Sequence, residues 1–150
     1  MTARYSDAAD ASALRARVDD GSVAYWRTLG IVVERVDGPG HAVLSLAMRE
    51  ALGTRRPEVM HGGAIASLID AAAGAAVITL REEGDDTWSG QASLDLNVTF
   101  LNAATTAIVA EAKVLKHSRS LAFVSVDVRD DTGELVSVGR VTYSIMRRQR

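Results

Sequence analysis

The chain has 150 residues, a hydrophobic fraction of 47% and no cysteine, so it reads as one ordinary domain that buries roughly two-thirds of its unfolded surface without disulfides or thiolate chemistry. Its 17 Lys and Arg against 19 Asp and Glu leave a formal net charge of −2, which excludes a basic footprint for nucleic acid. Small molecules or further copies of the chain are the expected partners, and the three histidines, His41, His61 and His117, lack metal-site spacing.

Residues 1–22 read as an extension, mobile or helical, with no function expected of it; Leu14 and Val18 are almost its only larger aliphatics. The first twenty residues hold four aspartates and no apolar leader-like run, so a cytoplasmic protein with no membrane partner is expected. Residues 23–147 are the expected domain and 148–150 a basic tail. In the domain, Val23–Leu29 predicts a short helix that docks its aromatics and ends at Gly30. Ile31–Val36 and Ala42–Met48 predict two strands around the turn Asp37-Gly38-Pro39-Gly40, and residues 49–59 a charged loop.

Met60 to Arg81 predicts the long helix around which the rest is organised. Ile65, Leu68, Ile69, Ala72, Ala73, Ala76, Val77 and Leu80 follow a 3.6-residue period. The opposite face is small rather than charged, and from Gly62 to Leu80 the only charged residue is Asp70. The helix is therefore expected to be wrapped by the protein, with Asp70 a buried acid.

After a charged turn at Glu82–Asp86, Gln91–Leu101 alternates strictly, with Ala92, Leu94, Leu96, Val98 and Phe100 as its expected core face. Thr106–Leu115, Leu121–Arg129 and Leu135–Ile145 predict three more strands, joined by turns at Lys116–Arg119 and Asp130–Gly133. Two strands, a buried helix and four strands in hairpin succession make an α+β fold in which a curled antiparallel sheet wraps one helix.

His61-Gly62-Gly63 opens that helix, and its free amides and dipole suit a developing oxyanion. The same glycines would equally cap a helix or allow close packing, and Asp70 could be a structural acid. Eight residues separate Gly62 from Asp70, roughly 12 Å along one helix. A carbonyl polarised by an amide and attacked by a water held on a carboxylate needs the two groups roughly 6 Å apart. One helix cannot supply both, whereas two helices across a dimer axis can, so a catalytic site built from these groups is expected at a two-fold interface.

The segments HGGAIASLIDAAAGAAV, SLDLNVTFLNAA and KVLKHSRSLAFVSVDVRDDTGELVSVGRVTYSI together resemble the hotdog-fold acyl-CoA thioesterases of the phenylacetate-degradation (PaaI-like) type, over about residues 24–146. The resemblance implies hydrolysis of an acyl-CoA thioester at the dimer interfaces of a homodimer or homotetramer. It implies no metal and no bound cofactor, coenzyme A arriving as part of the substrate. Asp70 would be general base or nucleophile, the Gly62 amide would polarise the carbonyl, His61 would shape the loop with Gly63, and Ser93 would help to position water. Lys116, His117, Ser118 and Arg119 match the place where the family holds the coenzyme A phosphates. The family often has an asparagine or glutamine six residues before the histidine, where this chain has Arg55, a side chain that cannot accept a hydrogen bond. A non-catalytic acyl-CoA binder or sensor is the alternative; a hydratase is disfavoured because His61 is out of register with Asp70 on the same helix.

Overall fold

The computed structural model describes residues 8–148. Its elements are α1 (Ala8–Val18), α2 (Ala24–Leu29), β1 (Ile31–Gly38), β2 (His41–Leu46), a 3-10 turn at Glu50–Leu52, α3 (Gly62–Ile78), β3 (Trp88–Phe100), β4 (Ile108–His117), β5 (Leu121–Asp130) and β6 (Leu135–Arg147). The six strands form one antiparallel sheet in the order β1-β2-β4-β5-β6-β3. This is the hotdog architecture expected from the sequence, with α3 packed across β2, β4, β5 and β6 and reaching β3. None of the described helices is long and apolar enough to cross a membrane.

The periodicities account for most of the core. Leu68, Ile69, Ala72, Ala73, Ala76 and Val77 of α3 are fully buried against Leu44, Ile108, Val124, Val126, Val128 and Val141 of the sheet. Helix α3 is shorter than expected. The Thr79 hydroxyl donates to Ala76 O at 2.6 Å and accepts from the Gly40 amide at 2.7 Å, so a β-branched side chain competing for backbone groups ends the helix and ties it to the β1–β2 turn. Gly30, at φ 81°, closes α2 as expected, its amide bonded to Trp26 O and Arg27 O.

Two expectations are corrected. The sheet does not by itself account for the small far side of α3. From Ala71 to Val77 every residue of α3 is buried, and helix α1 covers this half, with Val18 in the core and Leu14 packed on it. Helix α1 also lies beside β1, where Arg15 donates to Val33 O at 2.9 Å, so it blunts an otherwise open sheet edge.

The second correction concerns β3. Its alternating apolar residues do not form one core face: Leu94 is 62% exposed, Leu96 41% and Phe100 53%, while Val98 packs on the core. Strand β3 is an edge strand paired only with β6, and its ladder slips between Ser93 and Asp95, which face Tyr143 and Thr142. Leu94 is thus the extra residue of a β-bulge. Paired residues share a face, so Gln91 and Ser93 lie on the helix side with Ile145 and Tyr143, and beyond the bulge Leu96, Val98 and Phe100 take that side opposite Val141, Gly139 and Ser137. A strict two-residue period had assigned Gln91 and Ser93 to the outer face.

Candidate active site

Asp70 sits in the middle of α3 and is half-buried, not sealed in the core. Gly63, Ser67, Asp70 and Gly74 recur at three- and four-residue steps and so share one stripe of the helix. At Asp70 and Gly74 the stripe meets Tyr143 of β6 and Gln91 of β3. There Asp70, Ala71, Gly74, Gln91, Ser93 and Tyr143 line a cavity of about 500 Å³.

Tyr143 orders the acid. Its hydroxyl lies 2.9 Å from Asp70 Oδ1 and 2.9 Å from Asp70 O, donating to the helix residue across 73 positions of sequence. One carboxylate oxygen is therefore engaged, and the other is left without a protein donor among the described residues. Burial first, then the charge and hydrogen bond of Asp70, hold the Tyr143 phenol well above its ordinary value of 10.0, with Ser93 acting in the opposite sense. The phenol stays protonated and remains a donor. This arrangement requires Gly74, because a Cβ there would stand 2.7 Å from the Tyr143 hydroxyl. No cation pairs with Asp70 among the described residues.

Gln91 closes the same wall. Its Nε2 donates to Gly74 O at 2.8 Å, while its Oε1 is buried without a partner. Tyr143 and Gln91 were missed in the sequence. Tyr143 falls on the alternating inner face of β6 and reads there as one more core residue, and the bulge hides the orientation of Gln91.

The helix start is a second locus. His61 is the N-cap of α3, and its Nδ1 accepts from the Gly63 amide at 2.8 Å, the capping role usually taken by Ser, Thr or Asp. The Gly62 amide has no partner among the described residues, and the Phe100 ring stands beside it. Ser67 donates to Gly63 O at 2.8 Å, which leaves Tyr25 as the donor in its 2.9 Å contact with Ser67. Gly62 and Asp70 lie at opposite ends of two helical turns, so a single chain does not bring them together.

Lys116, His117, Ser118 and Arg119 form a third locus, the β4–β5 hairpin at the far end of α3. His117, Ser118 and Arg119 line a cavity of about 540 Å³ with Leu80, Asp85 and Arg147. The Ser118 hydroxyl accepts from the Ser120 and Leu121 amides at 3.3 and 3.1 Å, so it holds the turn. Beside it, Arg147 donates to Asp85 at 2.5 Å and to Thr87 at 2.9 Å, its guanidinium 5.2 Å from the centre of the Trp88 ring. The structure thus groups Asp70 with Ser93, His61 with Gly62 and Gly63, and the Lys116–Arg119 turn by itself.

Comparison with known proteins bears on what the acid and its cavity serve. Human acyl-coenzyme A thioesterase 13 is 33% identical over 125 residues, covering 79% of this chain and 82% of that protein. A thioesterase family protein from Silicibacter pomeroyi superposes with a TM-score of 0.80 at 23% identity, over 90% of this chain and 99% of its own. The E. coli PaaI protein of the phenylacetic acid degradation operon does so with a TM-score of 0.74 at 18% identity, over 85% and 87%. Residues 58–137, from the approach to α3 into β6, match the Thioesterase superfamily, and the chain belongs to that superfamily as a thioester hydrolase with the hotdog fold.

Proposed function

We propose that the chain hydrolyses an acyl-CoA thioester, with Asp70 as the general base or nucleophile and the Gly62 amide of a second copy polarising the carbonyl. The observation that carries this reading is the Asp70 carboxylate itself: it faces a cavity, Tyr143 engages one of its oxygens, and no cation neutralises it among the described residues. The substrate class follows the acyl-coenzyme A thioesterase among the relatives.

As base, the free Asp70 oxygen takes a proton from water, and the water oxygen bonds to the thioester carbon. The resulting oxyanion accepts from the Gly62 N–H, which has no partner of its own among the described residues. The carbon–sulfur bond then breaks, and the coenzyme A thiolate leaves and is protonated by the Asp70 carboxyl. As nucleophile, Asp70 would instead form a mixed anhydride that water opens. Ser93, on the helix side of β3, orients the water or its Tyr143 neighbour. The reaction uses no metal or bound cofactor, coenzyme A being part of the substrate.

The test is Asp70→Asn, which keeps size and removes basicity. The variant is expected to fold, assemble and bind acyl-CoA while losing at least about a hundredfold in kcat, read as thiol release. Near-native turnover with a much lower melting temperature would make Asp70 a structural acid.

A further inference from the structure

We propose that the α1–α2 segment roofs an acyl chamber beside Asp70 and that this chamber selects a medium-chain acyl group; the proposal rests on Asp70 being the catalytic acid. The cavity at Asp70 continues along α3 to Ile78, over a floor of Ala71 and Ala75. Its opposite wall comes from Val18 at the end of α1, in the extension of which no function was expected, and from Val23 before α2 and Trp26 within α2.

A thioester placed at Asp70 has two ends, and charge decides which enters. The nucleotide end carries phosphates. Among the described residues the one cation lining this cavity is Arg17, whose guanidinium donates to the backbone carbonyl of Arg81 and is outnumbered by the carboxylates of Asp20 and Asp70. Asp20 stands on the same wall, its carboxyl held below its ordinary value first by hydrogen bonds from Ser22, so a negative charge faces an incoming phosphate. The acyl end meets Val18, Val23, Trp26 and Ile78 and suffers no such repulsion.

Size narrows the class. From Asp70 to Ile78 is eight residues of helix, roughly 12 Å, which suits an extended octanoyl or decanoyl tail and is too short for a palmitoyl tail. The volume of about 500 Å³ falls within the range of small-molecule pockets. A butanoyl group would leave the space between Trp26 and Ile78 unfilled.

The experiment measures kcat/KM of the full chain on butanoyl-, octanoyl-, decanoyl- and palmitoyl-CoA. The wild type is expected to peak at octanoyl or decanoyl. Trp26→Ala removes part of the roof and is expected to raise the palmitoyl-to-octanoyl ratio by about tenfold, the scale on which apolar pockets discriminate chain length. Val23→Trp narrows the chamber and is expected to lower the decanoyl-to-butanoyl ratio by about the same factor. Val23 is 39% exposed and makes no side-chain capping bond, so this variant decides the matter if Trp26→Ala unfolds. A wild-type optimum at palmitoyl, or chain-length profiles unchanged in the folded variants while Asp70→Asn is inactive, would overturn the roof. An active Asp70→Asn would overturn the catalytic reading instead.

Discussion

At the scale of single residues, the site depends on a contact that spans the fold. Asp70 was legible in the sequence because it is the only charge on an otherwise apolar helix, whereas its partner Tyr143 lies 73 positions away and looks like packing. Hydrogen bonds to charged groups contribute about 1.5–3 kcal/mol, so Tyr143→Phe should reduce kcat by about tenfold or more with little change in KM. Steady-state kinetics on one acyl-CoA reads this directly; loss of KM alone would show that Tyr143 binds substrate rather than orders the acid. The same substitution has a signature in stability. The phenol is raised above its ordinary 10.0 in the folded chain, so the unfolded chain ionises first. The stabilisation is fully present below about pH 10 and is lost as pH rises towards the folded value. Melting temperature should therefore fall between about pH 9 and about pH 11, and fall less in Tyr143→Phe.

At the scale of elements, α3, α2 and the hairpins of β4 to β6 were legible because each carries its own signal: a 3.6-residue stripe, a closing Gly30, alternation bounded by turn residues. The bulge in β3 was not, since Ala92, Leu94 and Leu96 keep alternating through it while the backbone changes phase beneath them. The roof was missed for a related reason. Val18, Val23 and Trp26 form no stripe in sequence and become one wall only when α1 and α2 fold against α3. The β4–β5 turn divides internally: Ser118 is committed to holding the hairpin, which leaves Lys116, His117 and Arg119 as the groups able to meet coenzyme A phosphates. Arg119→Ala should accordingly raise KM for an acyl-CoA several-fold, leave kcat almost unchanged, and spare a short thioester lacking the nucleotide, because such a contact binds ground and transition states alike. Equal losses on both substrates would assign the residue to the turn.

At the scale of the whole molecule, the two edges of the sheet are treated differently. Helix α1 lies along β1 with Arg15 on its backbone, whereas β3 presents unpaired backbone and the exposed Leu96 and Phe100, the combination that invites another strand. With Gly62 and Asp70 roughly 12 Å apart along α3, an active site made from both needs a second chain. Light scattering should give a dimer or larger assembly, and Phe100→Asp, at the edge beside Gly62, should shift the population towards monomer and lower kcat in parallel. A monomer with full turnover would overturn the two-chain site. The bulge that sets this edge also governs which changes of length the strand tolerates. Because Leu94 has no partner on β6, removing it would let Ser93 and Asp95 become neighbours on an unbroken ladder, with every inward residue still inward. Removing Asn97 instead would also absorb the bulge, but Asp95 would then take the inward place opposite Val141 and Leu96 would turn outward, while Gln91, Ser93, Val98 and Phe100 keep their sides. Gaps in this strand thus leave every inward residue in place at one position and, three residues later, turn a carboxylate inward in place of a leucine, a distinction that a count of matched residues does not register.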